Sequence, residues 1–116
     1  VLSTNPLFPS TATLQRMALS GLSEADFHLV TSYENSSFCK PNPAYFTDLL
    51  HRFDLAPCEV LVFGNNTFED GECALGAGIK CFVIETEDLI KSDKATHDFE
   101  RIKITEVIDT IRKKLQ

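Results

Sequence analysis

The chain has 116 residues, 43% of them hydrophobic and 24% charged, which is the composition of one globular domain rather than of a disordered or membrane protein. Its 17 acidic residues outnumber the 11 basic ones, and the formal charge of -6 removes the main driving force for nucleic-acid binding. No apolar run is long enough to span a membrane and no leader sequence is evident, so we expect a cytoplasmic protein without a membrane partner.

The four cysteines include no CxxC pair, and each lies among apolar or small residues. We therefore expect reduced structural thiols rather than disulfides or a zinc site. These cysteines are Cys39, Cys58, Cys73 and Cys81.

The first third of the chain predicts a strand, a helix and a second strand. Residues 1–3 form a short apolar run that ends in a polar turn closed by Pro6, as expected for a buried strand. Ser10 predicts the N-cap of a helix, and Gly21 stands where the left-handed residue after a helix belongs. Residues 27–30 are again apolar and predict a strand followed by a polar loop.

The middle of the chain predicts a second helix. Asn42 is positioned as its cap and Pro43 as its first residue, a position that proline tolerates. Apolar residues then recur at i, i+3, i+4 and i+7, the pattern of a helix that packs through one face. This stripe comprises Phe46, Leu49, Leu50 and Phe53.

Two further apolar runs predict strands of a parallel sheet. Residues 60–63 are continuously apolar, as in a strand covered on both faces by helices, and Gly64 ends the run. A helix rich in small residues follows and ends at Gly78, and residues 81–84 predict the next strand. Because strands and helices alternate, we expect an α/β fold with a Rossmann-like, doubly wound parallel sheet and right-handed crossovers.

The C-terminal part of the chain is less regular. Residues 85–101 are polar and charged without a steady period, and they predict a connecting excursion. Thr105 is placed as the cap of a final helix, whose basic last turn complements the negative end of the helix dipole. The apolar residues that we expect to face inward on this helix are Val107, Ile108, Ile111 and Leu115.

Polar side chains that could hold a phosphoryl group follow three of the apolar segments. Thr4 and Asn5 follow the first strand, Lys40 lies in the loop after the second, and residues 64–66 follow the third. Ligands of a parallel α/β sheet lie beyond the carboxyl ends of its strands, so we expect these segments to converge. A hydroxyl with backbone amides, a cation and a glycine turn with acidic residues can hold a phosphoryl group and a metal ion.

The order of these segments resembles the motifs of the haloacid dehalogenase-like (HAD) hydrolase superfamily. The second motif, a strand ending in Thr or Ser, is matched by Leu2-Ser3-Thr4-Asn5, and the third, a Lys often followed by Pro, by Lys40-Pro41-Asn42-Pro43. The fourth, a strand followed by Gly, acidic residues and an Ala/Gly-rich helix, is matched by residues 62–70 with residues 74–78 behind them. The resemblance covers residues 1–90.

The resemblance implies a role for each matching residue. Thr4, with Asn5 and nearby amides, would bind the transferring phosphoryl group, and Lys40 would offset its charge, so Thr4 and Lys40 are the candidate catalytic residues. Asp70 and Asn65 would serve a Mg²⁺ site. The competing interpretations are an ordinary turn residue for Thr4, a surface lysine for Lys40 and a first-turn helix aspartate for Asp70.

The chain departs from the family pattern in two ways. Asn65 stands where many members carry Asp, and Asn66 where some carry a further acid, so metal affinity should be lower than at a two-carboxylate site. The first motif, a strand followed by Asp-x-Asp-x-Thr or Val, does not occur, so we expect the nucleophile and its acid–base partner to be missing. The three histidines show no spacing that would replace them, and we expect structural roles for His28, His51 and His97.

The resemblance therefore implies a truncated HAD core domain over residues 1–116, with motif-bearing βαβ units over residues 1–90 and an excursion and helix over residues 91–116. Its implied function is that of the C-terminal portion of a Mg²⁺-dependent phosphohydrolase, which would cleave a small phosphorylated substrate through an aspartyl-phosphate. The fragment itself is expected to be inactive. The alternative is a non-catalytic HAD-like binding or regulatory module.

The resemblance also predicts a gap in the sheet. The strand that bears the nucleophile would lie between residues 1–4 and residues 60–63, and its loss would leave two unpaired strand edges. Direct pairing of the two strands would force the helices over the gap to repack, so we expect self-association, or a separate N-terminal segment, to complete the sheet. A phosphoacceptor receiver domain is disfavoured, because its acidic cluster follows the early strands whereas Thr4-Asn5 occupies that place here.

Overall fold

The computed structural model describes residues 1–115. Within these residues a three-stranded parallel sheet has the order β1 (Leu61–Gly64), β2 (Lys80–Ile84) and β3 (Glu100–Ile102). The helices are α1 (Ser10–Leu19), α2 (Ala44–Phe53), α3 (Cys73–Gly76) and α4 (Val107–Lys114). The predicted α/β fold with a parallel sheet is confirmed. No helix of residues 1–115 combines the length and the apolar character needed to cross a membrane.

The central strand is β2, and its position explains its burial. Its residues Cys81, Phe82 and Val83 are all less than 5% exposed, because β1 and β3 flank the strand and side chains cover both of its faces. In β1 only Val62 is buried. The prediction that residues 60–63 are covered on both faces is therefore wrong, because β1 is an edge strand whose only partner within residues 1–115 is β2.

The prediction of a connecting excursion over residues 85–101 is wrong at its C-terminal end, because Glu100 and Arg101 belong to the strand β3. It pairs with β2 in parallel, with Val83 opposite Arg101. The strand is only three residues long, and just one of them, Ile102, is buried. So short a segment with exposed charged residues carries no apolar pattern from which a strand could be predicted.

The predicted strands at residues 1–3 and 27–30 are reduced to one parallel bridge between Leu2 and Val30. The amide of Leu2 donates to the carbonyl of Leu29, and the amide of Thr31 donates to the carbonyl of Leu2. Val1, expected to be buried, is 51% exposed. No strand of residues 1–115 pairs with Leu2 on its other side.

The two long helices begin close to their predicted positions. α1 begins at Ser10 itself, so the prediction of Ser10 as N-cap is wrong; the amide of Ser10 is instead capped by the carboxylate of Glu34 at 2.8 Å. Gly21 has a φ of 75°, which confirms the left-handed residue that ends this helix. α2 begins one residue later than predicted, and the side chain of Asn42 caps it by accepting a bond from the amide of Ala44.

The core lies between the sheet and helices α2 and α3. From α2, Phe46 and Leu50 are buried as their place in the apolar stripe predicts, whereas Phe53 at the end of the helix is 37% exposed. The tightly packed α3 contributes Cys73 and Ala74, neither of which is exposed at all. The remaining members of this core cluster are Tyr45, Val62, Ile79 and Cys81.

The C-terminal helix α4 differs from its prediction. Thr105 lies inside a 3₁₀ turn (Ile104–Glu106) and makes no capping bond, and α4 begins only at Val107. Ile108 and Leu115, expected to face inward, are 57% and 82% exposed. The expected inward face is therefore wrong for these two residues, because the rest of the described chain does not cover it.

An apolar groove lies where the sequence predicts a gap in the sheet. It has a volume of about 580 Å³ and lies between Val1 and Ser3 on one side and residues 60–63 on the other. Its lining includes Phe46, Leu50 and Ile79 from the core. The two strand edges do not pair with each other, so the sheet has not closed directly across the gap.

Candidate functional site

The predicted site residues line one cavity at the carboxyl end of β1. The cavity has a volume of about 460 Å³, within the range of small-molecule sites. Its polar lining combines the first segment, the loop after Val30 and the segment after β1, as the rule for parallel sheets predicts. The polar and charged residues that line it are Ser3, Thr4, Asn5, Arg16, Lys40, Asn65, Glu69 and Asp70.

Lys40 and Asp70 form a buried ion pair at the base of this cavity. The Nζ atom of Lys40 lies 2.6 Å from Oδ1 of Asp70, and the two side chains are 6% and 11% exposed. A second bond from Nζ reaches the carbonyl of Ser3 at 2.5 Å. The ammonium also lies against the rings of Tyr45 and Phe46, which adds a cation–π contribution. Lys40 is therefore neither a surface lysine nor an unpaired cation.

Asn5 holds the backbone of Lys40. Its side chain donates from Nδ2 to the carbonyl of Lys40 at 3.3 Å and accepts from the amide of Lys40 at Oδ1, at 3.1 Å. The side chain is thus occupied by the protein itself. The backbone amides of Thr4 and Asn5 have no acceptor among residues 1–115 and remain able to bind an anion.

Thr4 is fixed by a buried network that the sequence did not reveal. Its hydroxyl donates to the carbonyl of Thr31 at 3.2 Å, while the hydroxyl of Thr31 donates to the carbonyl of Thr4 at 2.6 Å. The phenol of Tyr45 lies 2.8 Å from the Thr31 hydroxyl and donates to the carbonyl of Thr4. Burial raises the pKa of Tyr45 to about 12, so the phenol stays protonated and able to donate.

Gly64 is required by the close approach of Asp70. A Cβ atom added at Gly64 would lie 2.4 Å from Oδ2 and 2.6 Å from Cβ of Asp70. The Asp70 side chain cannot move away without leaving Lys40. The glycine that the sequence places at the end of β1 is therefore what allows the ion pair to lie directly against the strand.

A π-helical turn (Thr67–Glu72) carries Asp70 into the site. The Oδ1 atom of Asn66 caps this turn by accepting from the backbone amides of Phe68 and Glu69. The backbone amide of Asn66 donates to Oδ2 of Asp70. Asp70 is thus the fourth residue of a turn that a side chain anchors at its start. Turns of this type occur frequently at functional sites.

The residues present do not by themselves fit Mg²⁺. Within residues 1–115 there is no group of three His, Cys, Asp or Glu side chains that could hold a metal ion. Asp70 supplies one carboxylate, whose charge is matched by Lys40, and Asn65 is uncharged and donates its amide to the carbonyl of Asp88 at 2.9 Å. Mg²⁺ keeps several of its waters and is held through one or two carboxylates, so a site whose Asp70 is already neutralised by Lys40 would need a further carboxylate to supply net negative charge.

No histidine or cysteine of residues 1–115 lines the cavity. The ring of His97 instead hydrogen-bonds the carboxylate of Glu72 at 2.9 Å. All four cysteines are free thiols. Burial raises the pKa of Cys73 and of Cys81 to about 12, which makes both thiols poor nucleophiles.

A model of the haloacid dehalogenase-like hydrolase family matches residues 10–84. A search of curated proteins gave no significant match. The fold is similar to the structure of a protein from Thermotoga maritima assigned as a β-phosphoglucomutase, with a TM-score of 0.67 and 22% identity over 91% of this chain and 49% of that one.

Two further solved structures share the fold. A HAD-superfamily hydrolase of subfamily IA, variant 1, from Geobacter sulfurreducens PCA has a TM-score of 0.63 and 24% identity over 88% of this chain and 48% of its own. A protein from Haemophilus somnus 129PT assigned as a phosphoglycolate phosphatase has a TM-score of 0.66 and 20% identity over 87% of this chain and 45% of its own. The chain spans about half the length of each of these structures.

Proposed function

The chain belongs to the haloacid dehalogenase-like hydrolase family, and on this premise we propose that residues 1–116 are a partial core domain of a Mg²⁺-dependent phosphohydrolase. The intact protein would hydrolyse a small phosphate monoester through an aspartyl-phosphate. The aspartate nucleophile would come from polypeptide outside these residues. The chain alone would then bind anions but not turn a substrate over.

The observation that supports this proposal is the ion pair between Lys40 and Asp70 in the cavity beside Thr4 and Asn5. Phosphoryl transfer depends mainly on positioning and on offsetting negative charge. The free amides of Thr4 and Asn5 would donate to phosphoryl oxygens, and Lys40 would offset part of their charge. Both groups are held by buried bonds, so they would not need to reorganise when the substrate binds.

Asp70 and Asn65 would contribute oxygen ligands to Mg²⁺ only together with carboxylates from outside this chain. The metal would supply electrophilic stabilisation of the phosphoryl oxygens when bound. Asp70 lies at the correct end of the sheet for this role, but its carboxylate is shared with Lys40. The proposal therefore assigns Asp70 the further task of orienting the Lys40 ammonium.

The groove beside β1 supports the proposal that a further strand completes the sheet. It offers an unpaired strand edge and an apolar floor, which are the two features used in recognition by strand addition. Its occupant would be an N-terminal segment of the same protein or a strand from a second copy. The groove is continuous with the site, because Val1, Ser3 and Phe63 line both.

A non-catalytic HAD-like module is the second candidate, and one observation favours it. Neutral side chains occupy both positions after Gly64, and the carboxylate of Asp70 is already paired with Lys40. In this case the cavity would bind a phosphorylated ligand without cleaving it. With either function we propose a cytoplasmic protein with no nucleic-acid or membrane partner, since the charge is -6 and all four thiols are free.

The test compares the intact parent protein with variants in an aryl phosphate hydrolysis assay with Mg²⁺. Lys40→Ala should lower kcat/KM by about a thousandfold, because the phosphoryl charge loses its cation. Lys40→Arg, which keeps the charge, separates loss of catalysis from loss of folding. Lys80→Ala removes an exposed lysine paired with Glu100 and is the matched control.

Three outcomes distinguish the candidates. Hydrolysis that depends on Lys40 supports the phosphohydrolase. Phosphate binding without hydrolysis by the intact protein supports the binding module. An unchanged rate in Lys40→Ala would remove Lys40 from the site.

A further inference from the structure

The charges along the cavity leave one cation without a partner. Lys40 and Asp70 neutralise each other at its base, at 2.6 Å. The other charged residues that line it are Arg16 and Glu69. Neither of these forms a side-chain hydrogen bond or an ion pair with any of residues 1–115. The cavity therefore has a neutral base and two free charges elsewhere along its wall.

Arg16 reaches the cavity from α1, on the flank of the helix beside its buried face. Thr13 and Met17 anchor the helix to the protein and are 7% and 5% exposed, whereas Arg16 is exposed. The exposed side chains of Leu7 and Phe8 line the same cavity. On this side of the cavity, Arg16 therefore places a cation beside two apolar side chains.

We infer that Arg16 is a specificity-determining residue that binds a second anionic group on the substrate, distinct from the phosphoryl group. This inference rests on the proposed function, since it takes Thr4, Asn5 and Lys40 as the phosphoryl site. The substrate class it assigns is a small phosphate monoester that also carries a carboxylate or a second phosphate. A cavity of about 460 Å³ accommodates a molecule of that size.

The chemistry of the side chain favours this role over that of a mere surface charge. A guanidinium presents a planar set of donors that binds a carboxylate or phosphate through two parallel bonds. The carboxylate of Glu69, which lines the same cavity, would repel an anion placed near it. The second anionic group should therefore bind on the α1 side of the cavity, against Arg16, and away from the π-helical turn that carries Glu69.

The competing explanation is that Arg16 only stabilises the last turn of α1, where a cation complements the helix dipole. This explanation predicts a small change in stability and no change in ligand preference. A role in substrate binding predicts instead a change in ligand preference and little change in stability. A measurement of ligand preference therefore decides between the two roles.

The experiment titrates the 116-residue chain with two non-hydrolysable ligands and follows its amide chemical shifts. Phosphonoacetate carries a phosphonate and a carboxylate, and ethylphosphonate carries the same phosphonate with a methyl group in place of the carboxylate. We expect phosphonoacetate to bind about tenfold more tightly, as for one charge-assisted bond. Both ligands should shift the amides of Thr4, Asn5 and Lys40.

The variants then assign the preference to the guanidinium. Arg16→Gln should remove the preference for phosphonoacetate and leave the affinity for ethylphosphonate unchanged. Arg16→Lys keeps the charge but not the paired donors, so it should retain part of the preference for phosphonoacetate. Arg112→Gln, which removes an exposed arginine of α4, is the matched control and should behave as the parent chain.

Each failure has a distinct meaning. A preference that persists in Arg16→Gln, or two ligands of equal affinity in the parent chain, overturns the role of Arg16 and leaves the phosphoryl site intact. If neither ligand shifts Thr4, Asn5 or Lys40, the proposed phosphoryl site and the inference fall together. Equal loss of affinity for both ligands in Arg16→Gln would also overturn the inference, since Arg16 would then contact the phosphonate.

Discussion

The Nζ atom of Lys40 lies 2.6 Å from Oδ1 of Asp70, and both side chains are almost fully buried. Two segments thirty residues apart are therefore joined by a charge pair directly beneath the candidate phosphoryl site. Because each ion is the main compensation for burying the other, neither can be removed without consequences for folding. The ion pair therefore has a structural role that does not depend on the function of the site.

The first prediction is that Lys40→Ala destabilises the chain by about 3 to 5 kcal/mol, because it leaves the Asp70 carboxylate buried without its cation. Urea unfolding followed by circular dichroism measures this loss. Lys80→Ala breaks an exposed pair with Glu100 and should cost less than about 1 kcal/mol. Equal losses in the two variants would contradict the buried, paired state of Lys40.

The second prediction concerns Gly64. A methyl group at this position would meet the side chain of Asp70 and displace it from Lys40, so Gly64→Ala should destabilise by about 1 to 3 kcal/mol and shift the Lys40 amide resonance. Gly21→Ala is the comparison, since its added Cβ meets no atom within 4 Å and only the positive φ is unfavourable. That variant should leave the Lys40 resonance in place. A Gly64→Ala chain with an unchanged Lys40 resonance would show that Asp70 does not lie against β1.

The third prediction is a loss of stability at alkaline pH. Burial raises the folded-state pKa of Tyr45, Cys73 and Cys81 to about 12 in each case, so the folded protein holds these protons more tightly than the unfolded chain. The stabilisation is fully present below the unfolded pKa values, near pH 9 for thiols and 10 for tyrosine, and is lost as the pH rises toward 12. Each group adds a slope of about 1.4 kcal/mol per pH unit in this window.

Urea unfolding at a series of pH values from 8 to about 11 measures this slope. Cys81→Ala should make the decline shallower, because one buried proton no longer contributes. Cys58→Ala removes an exposed thiol and should leave the decline as steep as in the parent. An equal effect of the two substitutions would contradict the assignment to burial.

The fourth prediction is that the chain associates through the groove beside β1. An unpaired strand edge with an apolar floor is a template for a strand from another chain. Light scattering after size-exclusion chromatography should show a mass that increases with concentration. Leu61→Lys places a charge in the groove and should shift the chain toward the monomer, whereas Leu19→Lys, at a residue 90% exposed on α1, should not. A compact monomer that unfolds cooperatively would show that the edge needs no partner.

The sequence predicted the elements whose pattern is local. The strand β1 is an apolar run that ends in Gly64, β2 is an apolar run that begins shortly after Gly78, and α2 carries an apolar stripe that begins after Pro43. These local signals suffice. Residues 1–3 and 27–30 carry a similar apolar signal but form only one bridge, because a strand also needs a neighbour. The strand β3 was missed because only Ile102 of its three residues is buried.

The position of the candidate site was predictable from the sequence, but its side-chain contacts were not. The rule that ligands lie beyond the carboxyl ends of parallel strands predicted that Thr4, Lys40 and the segment after β1 converge, and all three line one cavity. Asp70 was named only by the family resemblance. What each side chain contacts was not predictable, because the bonds of Asn5 to Lys40 and of Thr4 to Thr31 join residues 35 and 27 positions apart. Arg16 was missed for a related reason, since the face that a helical residue presents depends on how that helix packs.

The hydrogen bond from Asn65 to the carbonyl of Asp88 bears on how a metal site could be engineered or could evolve in this chain. An aspartate at residue 65 would restore a carboxylate, but it would place a negative oxygen against that carbonyl, where an amide now donates. The loop after β2 would then have to shift or change its sequence at the same time. Residues 65 and 88 should therefore behave as an epistatic pair, in which Asn65→Asp is tolerated only when the segment around Asp88 is altered with it.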